Sequence, residues 1–132
     1  IPYNLRGGIT TALSVPSSSG LYSGLASAFS LSSSLEESLI SQDIALFSNI
    51  SSGEDSRAAK ILLLEDSLDV ASRVLETDSW NNERGLPSSS EYSSRDIIAL
   101  KRVLSREIPL IVRADRASDI LFLINFSISL VL

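Results

Sequence analysis

The clearest alternation of apolar and polar positions lies between Tyr92 and Ser127, in YSSRDIIALKRVLSREIPLIVRADRASDILFLINFS. Ile97, Leu100 and Leu104 recur at helical spacing, and Ile98 and Val103 widen the stripe. Ser93, with Asp96 three residues later, makes an N-terminal capping pair whose hydroxyl and carboxylate take up free backbone N–H groups. Arg102 and Arg106 sit near the C-terminal end of that helix, where its dipole favours cations. Pro109 blocks continuation and biases Ile108 toward extended geometry. Leu110, Ile111 and Val112 then run apolar without alternation, as in a strand covered on both faces. After Arg113 a polar turn leads to a second apolar helix carrying Ile120, Leu121, Leu123, Ile124 and Phe126, and Ile128 to Leu132 reads as the next strand. Helix, strand, turn and helix together form the repeat unit of an α/β protein with parallel strands.

Upstream the pattern is less regular. Residues Ile1 to Gly8 read as irregular, and ITTALSV from Ile9 to Val15 reads as a strand that Pro16 ends. The Ser/Ala/Gly-rich stretch from Leu21 to Leu31 fits an extended segment over Ala26 to Leu31, and DIALFSNI from Asp43 to Ile50 fits another strand. Ile61, Leu64, Leu68, Ala71 and Leu75 then predict a strong helix capped by Ser56, with Asp69 four residues before Arg73 in the favourable order for an ion pair. Thr77 to Tyr92 shows no periodicity and reads as a long loop. VPSSSGLYS from Val15 and LPSSSEYSS from Leu86 echo each other, but their flanks do not match, so the echo is low-complexity coincidence.

A chain of 132 residues is long enough for one domain with a core of its own. Its net charge of −5 and scattered lysines and arginines argue against a nucleic-acid partner, which needs a basic face. No apolar run approaches the ~20 residues that cross a bilayer, so no membrane partner is expected. Serine makes up about a fifth of the chain, which weakens secondary structure locally. There is no cysteine and no histidine, which removes thiolate sites, the commonest general base and the commonest metal ligand. Compartment stays open. The start at Ile1 and the stop at Leu132 inside an apolar run lead to the expectation of a piece of a longer protein.

Two stretches carry a family resemblance. GGITTALSVPSSSGLYSG, Gly7 to Gly24, resembles the segment of metal-dependent amidohydrolases in which a Gly-Gly-Val-Thr-Thr-Ala run enters a barrel strand. DIIALKRVLSREIPLIVRADRASDI, Asp96 to Ile120, resembles a later part of the same proteins, in the branch similar to imidazolonepropionase, and SRAAKILLLEDSLDVA from Ser56 adds weaker support. The resemblance implies an α/β fold, a partial (β/α)8 TIM barrel of amidohydrolase type, with residues 1–132 forming a single incomplete domain. It implies hydrolysis of non-peptide C–N bonds, in a cyclic amide or a related small-molecule substrate, by water activated on a divalent metal such as zinc. The family's ligands include a His-x-His pair after the first strand, histidines on later strands and a late aspartate. None of those histidines is in this chain, and Arg113 stands at a strand end where many relatives place one. A guanidinium has no acceptor and cannot ligate a cation. No metal ligand is therefore assigned, and the chain alone is expected to be inactive. The alternative is a non-catalytic binding or structural module whose metal site is lost. Such barrels need about 250 residues, so self-association, or contact with further barrel segments, is expected.

The candidate substrate-binding residues are Arg113, Asp115 and Arg116, just after a predicted strand, where α/β barrels place chemistry. They fit an arginine fork for a substrate carboxylate, but the simpler reading is a strand-end salt bridge between Asp115 and one of the arginines, with Asp119 satisfying backbone N–H groups in the first turn. Ser17, Ser18 and Ser19 lack an adjacent base, since Lys60 and Lys101 lie on helices far along the chain. Glu36, Glu37 and Asp43 read as a solvated acidic stretch rather than a cation site, Gly7-Gly8 is too short to cradle phosphate, and Trp80 reads as packing. No catalytic residue is assigned.

Overall fold

The computed structural model describes residues 2–17, 20–31, 38–51, 56–76 and 92–131. The elements are α1 (Pro2–Arg6), β1 (Thr11–Ser14), β2 (Tyr22–Ser30), β3 (Leu39–Asn49), α2 (Arg57–Glu76), α3 (Ser94–Leu104), β4 (Leu110–Arg113) and α4 (Ala117–Val131). The strands form one curled sheet in the order β1-β2-β3-β4, half of a barrel wall. β1 with β2 and β2 with β3 are antiparallel, and β3 with β4 is parallel. The repeat of parallel strands expected from the sequence is therefore met at a single joint among the described residues.

That joint explains the helices. A parallel pair cannot be joined by a tight turn and needs a crossover. Here the crossover runs through α2 and α3, which pack on each other and cover the sheet. Leu46 and Ile50 from the β3 segment, Leu21 and Tyr22 from the start of β2, and Leu64, Leu68, Ile97 and Leu100 from the helices share one core. The expected caps hold. Ser56 Oγ accepts the Ala59 N–H at 3.1 Å, and Ser93 and Asp96 form a reciprocal capping box. Asp69 and Arg73 pair one helical turn apart. α3 ends in a tight C-terminal turn. The Arg106 N–H bonds Val103 O and the Glu107 N–H bonds Arg102 O, with Arg106 in left-handed conformation at φ 59°. Arg106 thus lies past the helix end, not in its last turn.

Four other expectations change. Residues 2–6 are helical rather than irregular. The first strand shortens to Thr11–Ser14, while β2 and β3 extend to Tyr22–Ser30 and Leu39–Asn49 because they pair with each other as a long hairpin. The residues from Ile128 to Val131 continue α4 instead of starting a strand. An uninterrupted run of Ile, Leu and Val fits either geometry, and no proline or glycine breaks the helix there. The loop expected from Thr77 lies outside the described residues as far as residue 91.

The β2–β3 pairing carries bulges. In one, Asp43 takes φ 53°, a conformation that aspartate tolerates better than most residues, and the Arg102 guanidinium donates to its carbonyl at 3.1 Å. In another, Gly24 takes φ 115°, and a Cβ there would lie 3.3 Å from Pro16 Cγ. Only glycine accommodates both constraints. Gly24→Ala should lower unfolding free energy by roughly 1–3 kcal/mol; an unchanged urea midpoint would show that the bulge relaxes freely.

Inside the core, the Ser67 hydroxyl donates to Leu64 O at 3.0 Å. Its proton is thereby used, so Tyr22 donates the 2.6 Å bond between Tyr22 Oη and Ser67 Oγ. Burial pushes the Tyr22 phenol well above its usual range, against the Ser67 hydrogen bond and with help from the Asp96 and Tyr92 charges. Tyr92, which donates to Asp66 Oδ2 at 2.9 Å, is raised by burial and then by that carboxylate. For both, the unfolded chain releases its proton first. Their contribution to stability is therefore full below about pH 10 and falls as pH climbs above it. Tyr22→Phe should flatten that decline in urea unfolding series between about pH 9 and 11, at a cost of about 1 kcal/mol at neutral pH. An identical alkaline slope in the variant would remove Tyr22 from the account.

Candidate functional site: the ends of the parallel strands

β3 and β4 run side by side with Leu46 opposite Leu110 and Asn49 opposite Arg113, so both end at the same level. Backbone and side chains lock that end. The Ile50 N–H donates to Arg113 O at 3.2 Å, and Ser51 Oγ donates to the same carbonyl at 3.4 Å. The Ser51 N–H donates to Asn49 Oδ1 at 3.0 Å. The Lys60 ammonium, from the first turn of α2, donates to Asn49 O at 3.4 Å. With 1% of its surface exposed, Lys60 is a cation held inside the protein just behind the strand end.

The three residues singled out from the sequence all lie on this rim. Arg113 Nε stands 3.8 Å from Asp115 Oδ1, and both side chains are 61% exposed. That is a surface pair of small energetic value. Arg116 is exposed, directly before α4, and makes no ion pair among the described residues. Its carbonyl accepts the N–H groups of Asp119 and Ile120. Arg113 and Arg116 share the rim but do not form a closed fork.

Asp119 does something other than expected. Its Oδ1 accepts the Ser118 hydroxyl at 3.1 Å, and its Oδ2 lies 3.6 Å from Arg57 Nε. Oδ2 has no hydrogen bond of its own, so the Arg57 contact is purely ionic. The carboxylate is thus turned toward α2 rather than onto backbone N–H groups, and it ties the start of α2 to the start of α4. Its position in the first turn still suits the helix dipole.

Sequence reasoning missed Lys60, Arg57, Asn49 and Ser51. Lys60 had a signal. Lys60, Leu64, Ser67, Leu68 and Ala71 are all buried and fall on one helical face, so the lysine occupies an apolar-stripe position. Arg57, Asn49 and Ser51 had none, because only pairing brings residues near 50 and 113 together. Ser17 is exposed beyond β1, whereas Ser18, Ser19, Glu36, Glu37 and Trp80 lie outside the described residues.

The rim's chemistry is cationic. Lys60, Arg57, Arg113 and Arg116 stand against Asp115 and Asp119, in a chain that is acidic overall. The donors do not suit a metal. The chain has no histidine or cysteine, and among the described residues no three carboxylates or other ligands converge. Asp115 and Asp119 are each engaged by an arginine. A separate apolar groove of about 600 Å³ runs behind β4, between α2, α3 and α4, lined by Leu64, Leu68, Val103, Val112 and Leu123 among others. None of Arg113, Asp115 and Arg116 reaches it. Among the described residues no helix is long and apolar enough to cross a membrane.

No family model matches the chain, and no curated protein matches it. Among solved structures it is similar to an amidohydrolase from Thermotoga maritima MSB8, with a TM-score of 0.69 and 20% sequence identity. The match covers 94% of this chain and 35% of that one, so the chain spans about a third of the length of the structure it resembles. The likeness is one of fold, and it agrees with a mixed α/β chain whose curled four-stranded sheet is half of a barrel wall.

The two carboxylates of the rim should separate in their effects. Asp119→Asn, which strips the Arg57 pair from a largely buried carboxylate, should cost about 1 kcal/mol in urea unfolding, whereas Asp115→Asn should stay within about 0.5 kcal/mol. Equal losses in the two variants would contradict the difference in burial.

Proposed function

We propose that this chain is the rim-bearing segment of an amidohydrolase-like hydrolase, and that its share of the work is to hold the anionic end of a small substrate. Arg113 carries the reading. It sits at the end of a parallel strand, on the face where α/β barrels bind substrates, and its guanidinium is open to solvent. Arg116 adds a second accessible cation, and Lys60 contributes fixed positive charge from behind the strand end. Asp115 holds Arg113 on the rim and would yield it to a better-placed carboxylate, since an exposed pair is weak. The reaction class, hydrolysis of a non-peptide C–N bond in a cyclic amide or related substrate, comes from the resemblance of the Gly7–Gly24 and Asp96–Ile120 stretches to the imidazolonepropionase-like branch. The divalent metal of that chemistry finds no ligand set in the described residues.

A second reading is favoured by one observation. Arg113 stands at a strand end where members of the family that the Asp96–Ile120 stretch resembles carry a histidine ligand, so the rim also suits a non-catalytic module that binds the same anions.

Titration of the 132-residue protein with a short-chain dicarboxylate, followed by calorimetry at low salt, tests the shared core of both readings. Saturable binding is expected, weakened about tenfold or more in Arg113→Ala, in line with the 1.5–3 kcal/mol of a charge-assisted hydrogen bond. No binding, or binding indifferent to Arg113→Ala and Arg116→Ala, would refute the anion-holding rim. Cyclic-amide hydrolysis by this chain with added zinc would refute the division of labour.

A further inference from the structure

Among the described residues the sheet has two free edges, β1 and β4. β1 is antiparallel to β2 and β2 to β3, whereas β3 is parallel to β4, so β1 and β4 run in the same direction. The layers over the two edges are deficient in opposite ways. All four β1 residues are exposed. α4, next to β4, is a helix with too little beneath it. Ile120, Leu121, Ile124, Ile128 and Leu130 are 45 to 62% exposed, and the apolar groove lies open along its inner side. A helix that is apolar around its circumference belongs in a covered position.

From these edges we infer that two copies of this chain close one eight-stranded barrel, each copy's β4 pairing in parallel with the other's β1. Four curled strands are half of the eight whose interior side chains just fill a barrel. Because both edges point the same way, a two-fold axis along the barrel makes both seams at once, and rotation by half a turn closes the ring. A parallel strand beside β4 is also what a right-handed crossover through α4 would cover. Each copy's α4 then lies over the other's β1, burying exposed apolar residues such as Leu121 against Leu13. Closure also brings both copies' Arg113 and Arg116 to the same mouth. The inference stands on sheet topology and not on what the rim binds, so the anion-holding rim and the closed barrel can each fail alone; a barrel of two such copies holds no histidine or cysteine, and so goes with the anion-binding module rather than with the hydrolase.

The lack of cysteine makes the seam directly readable. Light scattering of the purified chain should give twice the 14.2 kDa of one copy. A mixture of single-cysteine variants Ala12→Cys and Ile111→Cys, treated with a short bis-thiol crosslinker, should yield chiefly the 12–111 product. Leu13→Lys and Leu121→Lys, both at exposed positions, should each weaken association at least tenfold while circular dichroism stays native. A 14.2 kDa monomer would overturn the inference and leave both edges to strands from outside this chain. Predominant 12–12 and 111–111 products would replace the closed barrel with like-on-like edge pairing. A ladder of larger species would mean that the head-to-tail contact does not close.

Discussion

The parallel contact of β3 with β4 is the constraint on which the rest of the chain depends. It is four residues long, from Leu46 opposite Leu110 to Asn49 opposite Arg113. A pair this short contributes little by its own hydrogen bonds. It persists because the crossover that it requires buries Leu46 and Ile50 beneath Leu64, Leu68, Ile97 and Leu100. The same contact brings residues 49–51 next to residue 113, so the hydrogen bonds of Ile50 and Ser51 to the Arg113 carbonyl follow from it. Loss of this joint would remove the rim, the core and the covering layer together.

The chemistry of the rim follows from which side chains that joint leaves at the strand ends. A metal centre needs acceptor atoms that converge. The strand ends here present donors: an ammonium behind Asn49 and guanidinium groups in front. The carboxylates within reach are turned onto arginines, Asp115 by a solvent-screened contact and Asp119 by a contact that also joins α2 to α4. Donors of this kind attract anions. Among the described residues no group of carboxylates converges there to offset those donors.

What the sequence revealed and what it withheld divide along physical lines. Local signals were legible. The Ser93–Asp96 capping box, the Ser56 cap, the Asp69–Arg73 pair and the strand after Pro109 each depend on residues a few positions apart, and each is present. The long hairpin of β2 with β3 was only half legible, because its small and polar residues carry no period and its length is set by mutual pairing across bulges. Strand direction is not written in any one segment, so the antiparallel half of the sheet could not be foreseen. The helical tail of α4 was misread because an apolar run without polar punctuation has no phase. Of the site, Arg113, Asp115 and Arg116 were legible from their place after a strand. Lys60 was hidden in plain sight as a charged residue on an apolar stripe, and Asn49 and Ser51 join the site only through folding.

α4 shows how far local energetics can be followed before a further surface is needed. Its first turn is well made: Asp119 suits the dipole and holds Arg57. Its serines are satisfied within the helix, Ser127 by Ile124 O at 2.8 Å and Ser129 by Phe126 O at 2.7 Å. Phe122 and Phe126 stack one turn apart. Its two late serines ask for no further partner. Its apolar side chains do, because Leu123 and Phe126 face the core while Leu121, Ile124 and Ile128 remain outside it. A helix of 15 residues is about 22 Å long, short of the ~30 Å hydrocarbon core of a bilayer. A covering protein layer therefore fits its composition better than lipid does. The free direction of that layer is toward the edge of β4, beside which no further strand pairs among the described residues. Apolar side chains and that edge thus lie along one line, and a strand with exposed side chains answers both.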